Sequence, residues 1–104
     1  MDTQLKKGVI EVCVLAAIAR HDSYGYQIVK DVSQYVETSE STLYPILKRL
    51  ESAGNISTYS VEHNGRLRKY YKIQESGLAK IDEFLESWPE VQKIFEFIRE
   101  GRHA

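Results

Sequence analysis

The stretch Ser41-Thr42-Leu43-Tyr44-Pro45-Ile46-Leu47-Lys48-Arg49-Leu50-Glu51-Ser52-Ala53-Gly54 decides the fold. Leu43, Ile46, Leu47, Leu50 and Ala53 recur at helical spacing and mark one apolar face. Ser41 stands at the expected N-cap, and Gly54 is a C′ residue that ends the helix after about three turns. The other face includes Ser41, Thr42, Tyr44, Pro45, Lys48, Arg49 and Ser52. Hydroxyls come first and cations follow, an inventory suited to phosphates and base edges. With Ser41 as the cap, Pro45 removes a hydrogen bond only at the edge of the first turn, where the loss is least.

Upstream, His21-Asp22-Ser23 offers turn and N-cap chemistry, and Ile28, Val29, Val32, Tyr35 and Val36 then predict a helix running up to Glu37. A first helix over residues 5–20 is apolar on nearly every side between Val9 and Ala19, broken only by Glu11, so it has to be buried all round. One small domain cannot cover such a helix, and a second subunit is expected on its far side. Downstream the period changes from helical to alternating. Ile56–Val61 and Arg66–Ile73 read as two strands joined by Glu62-His63-Asn64-Gly65, whose Asn-Gly pair supplies positive φ. In the second strand Leu67, Lys69, Tyr71 and Ile73 share one face and Arg66, Arg68, Tyr70 and Lys72 the other, with Tyr71 and Ile73 expected toward the core. Gln74-Glu75-Ser76 caps a last helix whose Ile81, Phe84, Trp88, Val91, Phe95 and Ile98 form a heptad seam.

Three helices, a hairpin and a long final helix make a mainly α (α+β) chain with the winged helix-turn-helix layout: a two-stranded β wing and a C-terminal dimerisation helix. Residues 1–75 would be the DNA-binding domain and residues 76–104 the dimerisation helix. The chain has 104 residues, close to the usual size of one domain. Its 42% hydrophobic and 28% charged residues are ordinary for a folded protein.

The net charge of -1 hides a gradient. Residues 1–42 carry 4 basic and 6 acidic side chains, residues 43–73 carry 6 and 2, and residues 74–104 carry 4 and 7, so positive charge gathers over the recognition helix and wing. The longest apolar run is too short to cross a bilayer. Met1-Asp2-Thr3-Gln4 does not open a secretory signal, and the expected location is cytoplasmic. Cys13, the single cysteine, lies in the most apolar segment and reads as inert core.

Enzymatic readings fail on inventory. His21, His63 and His103 have no metal-binding or catalytic spacing, and Asp82, Glu83 and Glu86 share a solvated face with Lys80 and Lys93. No catalytic residue, metal or cofactor is expected.

Tyr24-Gly25-Tyr26-Gln27-Ile28, the Ser41–Glu51 segment with Gly54, and Gly65-Arg66-Leu67-Arg68-Lys69-Tyr70-Tyr71 together resemble the PadR family of bacterial transcriptional regulators over nearly the whole chain. The single C-terminal helix with Glu86-Ser87-Trp88 is similar to the smaller PadR subfamily and its multidrug-sensing branch. The resemblance implies a homodimeric repressor that binds a pseudo-palindromic operator on double-stranded DNA and releases it when an effector arrives. By resemblance Tyr24 and Gly25 lie near a phosphate; read from the residues alone, the pair serves equally as packing.

Together these readings give Tyr24, Gly25, Ser41, Thr42, Tyr44, Lys48, Arg66, Arg68 and Lys69 as the DNA-binding set. The expected dimer interface is Leu5, Val9, Val12, Ala16 and the seam of Ile81, Phe84, Trp88, Val91, Phe95 and Ile98. The multidrug-sensing branch further implies a pocket for a planar aromatic or cationic effector, with Trp88 stacking and Leu5, Val12, Leu85 and Val91 as its wall. The plainer reading leaves Trp88 as heptad core.

Three departures from the family pattern stand out. Glu40-Ser41 occupies a place where Pro-Gly is frequent, Leu67 replaces a commonly polar or proline wing residue, and Pro89 follows Trp88, either bending the helix or restarting it with Ser87 and Glu90 as a capping box. The competing function is a winged-helix protein interaction module with little DNA affinity. Clustered cations on the wing and the third helix argue against it.

Overall fold

The apolar periodicities fold as helices, and the alternating segments as strands, in the order α1 (Thr3–Arg20), β1 (Ser23–Tyr24), α2 (Gly25–Ser33), α3 (Glu40–Ser52), β2 (Ile56–His63), β3 (Arg66–Ile73) and α4 (Glu75–Arg102). The computed structural model describes the backbone of residues 3–104 and the side chains of residues 6–104. Leu5, expected in the dimer seam and the effector wall, has its side chain outside the described residues, as do Met1 and Asp2.

The sheet has three strands in the order β1-β3-β2, all antiparallel, where the sequence predicts two. Ser23 and Tyr24 are extended and pair with Tyr71 and Tyr70, so Ser23 is a buried strand residue and not a helix cap. The N-cap of α2 is Tyr24, whose side chain makes no capping hydrogen bond. α2 also ends earlier than its apolar pattern. The amides of Gln34 and Tyr35 reach back only to Asp31 and Val32 at 3.4 and 3.0 Å, which tightens the last turn and releases the chain. Val36 continues the periodicity because it still packs on the core from the turn, while Tyr35 is 76% exposed.

The N-cap of α3 is Ser39, two residues before the predicted Ser41, which places Pro45 in the second turn. Its missing N–H leaves the carbonyl of exposed Ser41 without its intrahelical donor, yet the helix continues to Ser52. Its end is a Schellman motif. The Asn55 N–H donates to the Leu50 carbonyl at 2.9 Å and the Gly54 N–H to the Glu51 carbonyl at 3.0 Å. The hairpin link is two residues and not four: Asn64 and Gly65 both take positive φ, 53° and 79°, and Glu62 and His63 pair with Leu67 and Arg66.

Ile10, Val14, Leu15 and Ile18 of α1 form the core with Ile28 and Val32 of α2, Leu43, Ile46, Leu47 and Leu50 of α3, Ile56 of β2 and Tyr71 of β3. Cys13 is half-buried at its edge, and burial pushes its thiol pKa up, which disfavours the reactive thiolate.

α4 has 28 residues and is therefore about 42 Å long. The molecule measures 63 × 26 × 20 Å, so only the start of α4 rests on the body while the rest projects. Pro89 does not break it. Ser87 donates its hydroxyl to the Phe84 carbonyl at 2.7 Å, bonding backward within one helix and not capping a new one.

Glu11 on α1 ties three helices together, accepting from Arg49 of α3 at 3.0 Å and from Lys80 of α4 at 3.2 Å. Burial raises the pKa of its carboxyl, but the hydrogen bonds and charges of Arg49 and Lys80 outweigh that and lower it below the usual 4.5. A lowered folded pKa means that this contribution to stability is complete above about 4.5 and is lost as pH falls through the folded value. Glu11→Gln should therefore be less stable than the wild type at neutral pH, by up to about 1 kcal/mol because both partners are exposed. Urea melts at stepped pH should show the gap closing below 4.5; a gap that stays constant in acid would contradict the assignment.

Candidate nucleic-acid interface

Gly25 is the first residue of α2 and is buried, because the ring of Tyr44 from α3 lies directly against it. A Cβ placed on Gly25 would stand 2.5 Å from the Tyr44 hydroxyl oxygen and 2.8 Å from a ring carbon. The contact brings the exposed face of α3 beside the N-terminus of α2, whose first amides receive no side-chain cap and point their partial positive charge outward. Tyr24, Gly25, Tyr26, Tyr44, Arg68, Lys69 and Tyr71 line one shallow concavity there.

Five of the sequence-predicted residues, Tyr24, Gly25, Tyr44, Arg68 and Lys69, thus converge. Lys48 is exposed one turn beyond Tyr44. Ser41 and Thr42 are exposed at the start of α3 with their hydroxyls gathered around Ser39 Oγ at 3.0 and 3.3 Å. Arg66 lies at the wing tip with His63, Asn64 and Leu67, outside the concavity, and Leu67 is 77% exposed there.

The cations divide into two groups. Arg49, grouped with Lys48 in the sequence, turns away to Glu11, since one residue along a helix is a rotation of about 100°. Lys69 lies 3.3 Å from Glu51, which also accepts a hydrogen bond from Thr58 and so links α3 to both long strands. Lys48, Arg66 and Arg68 make no ion pair among the described residues.

A row of tyrosines crosses the sheet, and the sequence analysis missed it. Tyr24, Tyr70 and Tyr59 occupy the same rank of β1, β3 and β2. Tyr24 and Tyr70 meet edge to face at 5.6 Å, and Tyr70 stacks on Tyr59 at 5.6 Å and 15°. Tyr59 donates its hydroxyl to Asp22 Oδ2 at 2.6 Å, a bond that raises its pKa. Counting back from the Asn64-Gly65 turn would have put Tyr59 opposite Tyr70. No periodicity marks a two-residue strand such as β1.

On α4, Ile81 packs on the chain's own core and Phe84 is half-buried, whereas Leu85, Trp88, Val91, Phe95 and Ile98 are exposed, Trp88 by 54%. Val9, Val12 and Ala16 on α1 are partly covered.

Residues 14–83 match the transcriptional regulator PadR-like family. The chain belongs to the PadR family. A protein of known structure from Streptococcus mutans is 44% identical with a TM-score of 0.79, covering 92% of this chain and 91% of that one. A Streptococcus transcriptional regulator is 32% identical with a TM-score of 0.83, covering 94% and 99%. An uncharacterized protein of Lysinibacillus sphaericus is 34% identical over 100 residues, 91% of this chain and 92% of its own. The Bacillus subtilis PadR determined in complex with operator DNA shares the fold at a TM-score of 0.69 and 23% identity, over 74% of this chain and 46% of its own. Membership of this family makes the chain a transcriptional regulator, not an enzyme. Among the described residues no helix is long and apolar enough to cross a membrane.

Gly25→Ala separates the interface from the fold. Alanine is favoured over glycine within a helix by about 1 kcal/mol, so the melting temperature should change little. The added methyl must displace the Tyr44 ring, and DNA affinity should fall by about 1–3 kcal/mol if Tyr44 reads a base edge. Thermal melts paired with DNA anisotropy measure both, and unaltered affinity would remove Tyr44 from the interface.

Proposed function

We propose that this PadR-family chain is a dimeric repressor that grips a pseudo-palindromic operator with two winged heads. The observation that carries this reading is the convergence of Tyr24, Gly25, Tyr44, Lys69 and Arg68 on one concavity, where Arg68 makes no ion pair among the described residues. Residues 1–75 form the head. Arg68, Arg66 and Lys69 take phosphates with the hydroxyls of Ser41 and Thr42, Tyr24 and Gly25 flank the backbone, and Lys48 or Tyr44 reaches base edges. Lys69 exchanges its contact with Glu51 for one with DNA. The operator complex of the Bacillus subtilis PadR supports a DNA partner for this fold.

Residues 76–104 form the dimerisation helix. Leu85, Trp88, Val91, Phe95 and Ile98 leave a stripe of apolar surface on a single chain that water does not favour, and a second α4 with α1 covers it. Hydroxyl-radical footprinting on the DNA upstream of the chain's own gene should show two protected patches about 10 base pairs apart or a multiple of that. Arg68→Ala should flatten the salt dependence by about one unit for each head. No protection at low salt would overturn the reading.

Trp88, Leu85 and Val91 share one side of α4 beyond the body, and a planar aromatic cation between the two copies of Trp88 is the proposed effector. Trp88 is the only tryptophan, so a planar cationic dye should quench the fluorescence of the wild type and weaken the footprint. Dye binding read from its own signal should be lost in Trp88→Ala that remains dimeric; unchanged binding there would leave Trp88 as packing.

A further inference from the structure

Arg68 is held by an aromatic face and not by a carboxylate. Its guanidinium carbon lies 4.1 Å from the centroid of the Tyr24 ring, and among the described residues it makes no ion pair. Lys69 in the same concavity differs: its ammonium lies 5.4 Å from the Tyr71 ring centroid but is also paired with Glu51 at 3.3 Å. An ion pair fixes a cation but cancels the charge that a phosphate needs, and it must break before DNA is bound. A ring face fixes the guanidinium plane while leaving its charge and its edge N–H donors available.

The ring is itself braced. Tyr24 packs edge to face on Tyr70, Tyr70 stacks on Tyr59, and the Tyr59 hydroxyl is bonded to Asp22, two residues before Tyr24. The row therefore starts and ends in the same short segment, which closes it into a loop across all three strands.

We propose that Tyr24 is a positioning residue for DNA binding: its ring, braced by Tyr70, Tyr59 and Asp22, holds the Arg68 guanidinium ready for a backbone phosphate. This rests on the DNA-binding function proposed above. An arginine side chain loses rotamer entropy on fixing, and an arginine already stacked loses less of it at the moment of binding. The hold on Arg68 comes from the ring and not from the Tyr24 hydroxyl.

Two measurements test this independently. In the DNA-free protein the Arg68 Hδ protons should be shifted upfield by the Tyr24 ring current, a shift kept in Tyr24→Phe and lost in Tyr24→Leu. The second measurement is anisotropy on a short mixed-sequence duplex at low salt. Tyr24→Leu, checked by its melt to be folded, should bind about two- to five-fold more weakly per head with an unchanged salt slope, while Tyr24→Phe, which keeps the ring, should lose less than Tyr24→Leu. In an Arg68→Ala background Tyr24→Leu should have a clearly smaller effect than in the wild type. Absence of the upfield shift, equal damage from Tyr24→Phe and Tyr24→Leu, or a full effect of Tyr24→Leu without Arg68 would each overturn the inference. A wild type that binds no DNA would instead overturn the function, and the ring-current measurement would still decide whether Tyr24 holds Arg68.

Discussion

Gly25 has no side chain, and for that reason the ring of Tyr44 can lie against the first turn of α2. This contact fixes the position of α3 relative to α2, and the residue before Gly25 fixes α2 relative to the wing, because Tyr24 belongs to the sheet. The peptide between Tyr24 and Gly25 is therefore where strand becomes helix and where three elements meet. A side chain at position 25 would displace the Tyr44 ring from this junction. Core packing through Leu43, Leu47 and Leu50 holds α3 on the body, and the contact of Tyr44 with Gly25 adds to it at the surface.

Charge is divided with the same economy. Glu11 uses Arg49 and Lys80 to join α1, α3 and α4, and Glu51 uses Lys69 and Thr58 to join α3 to the wing. These exposed pairs contribute modestly to stability, so their value lies in orientation. Lys48, Arg66 and Arg68, which make no ion pair among the described residues, keep the charge that a polyanion would meet.

Long periodic segments were legible from sequence. The helices and the hairpin could be read because each repeats over several residues, and Tyr24, Tyr44 and Arg68 stood out because they sit in distinctive motifs. What was hidden depended on pairing between distant segments. β1 is too short to show a period, and Ser23 looked like a cap until Tyr71 stood opposite it. Apolar spacing carried α2 past Ser33 because Val36 remains on the core after the helix has ended. Arg49 beside Lys48 looked like part of the same surface, and only the position of Glu11 shows otherwise. The tyrosine row needed the two-residue turn, which the sequence placed within a four-residue link.

The projecting α4 explains why a single chain looks unfinished: its apolar stripe continues beyond the body that could cover it. The function proposed above divides the work accordingly, with DNA met by the heads and a second subunit by α4. Hydrogen exchange of the full chain with and without its own upstream DNA tests this division most directly. The account predicts slowed exchange confined to the amides around Tyr24–Tyr26, the first two turns of α3 and the wing turn at Asn64-Gly65, with α4 unchanged. Slowing along α4 with none at the Tyr24-Gly25 junction would contradict it.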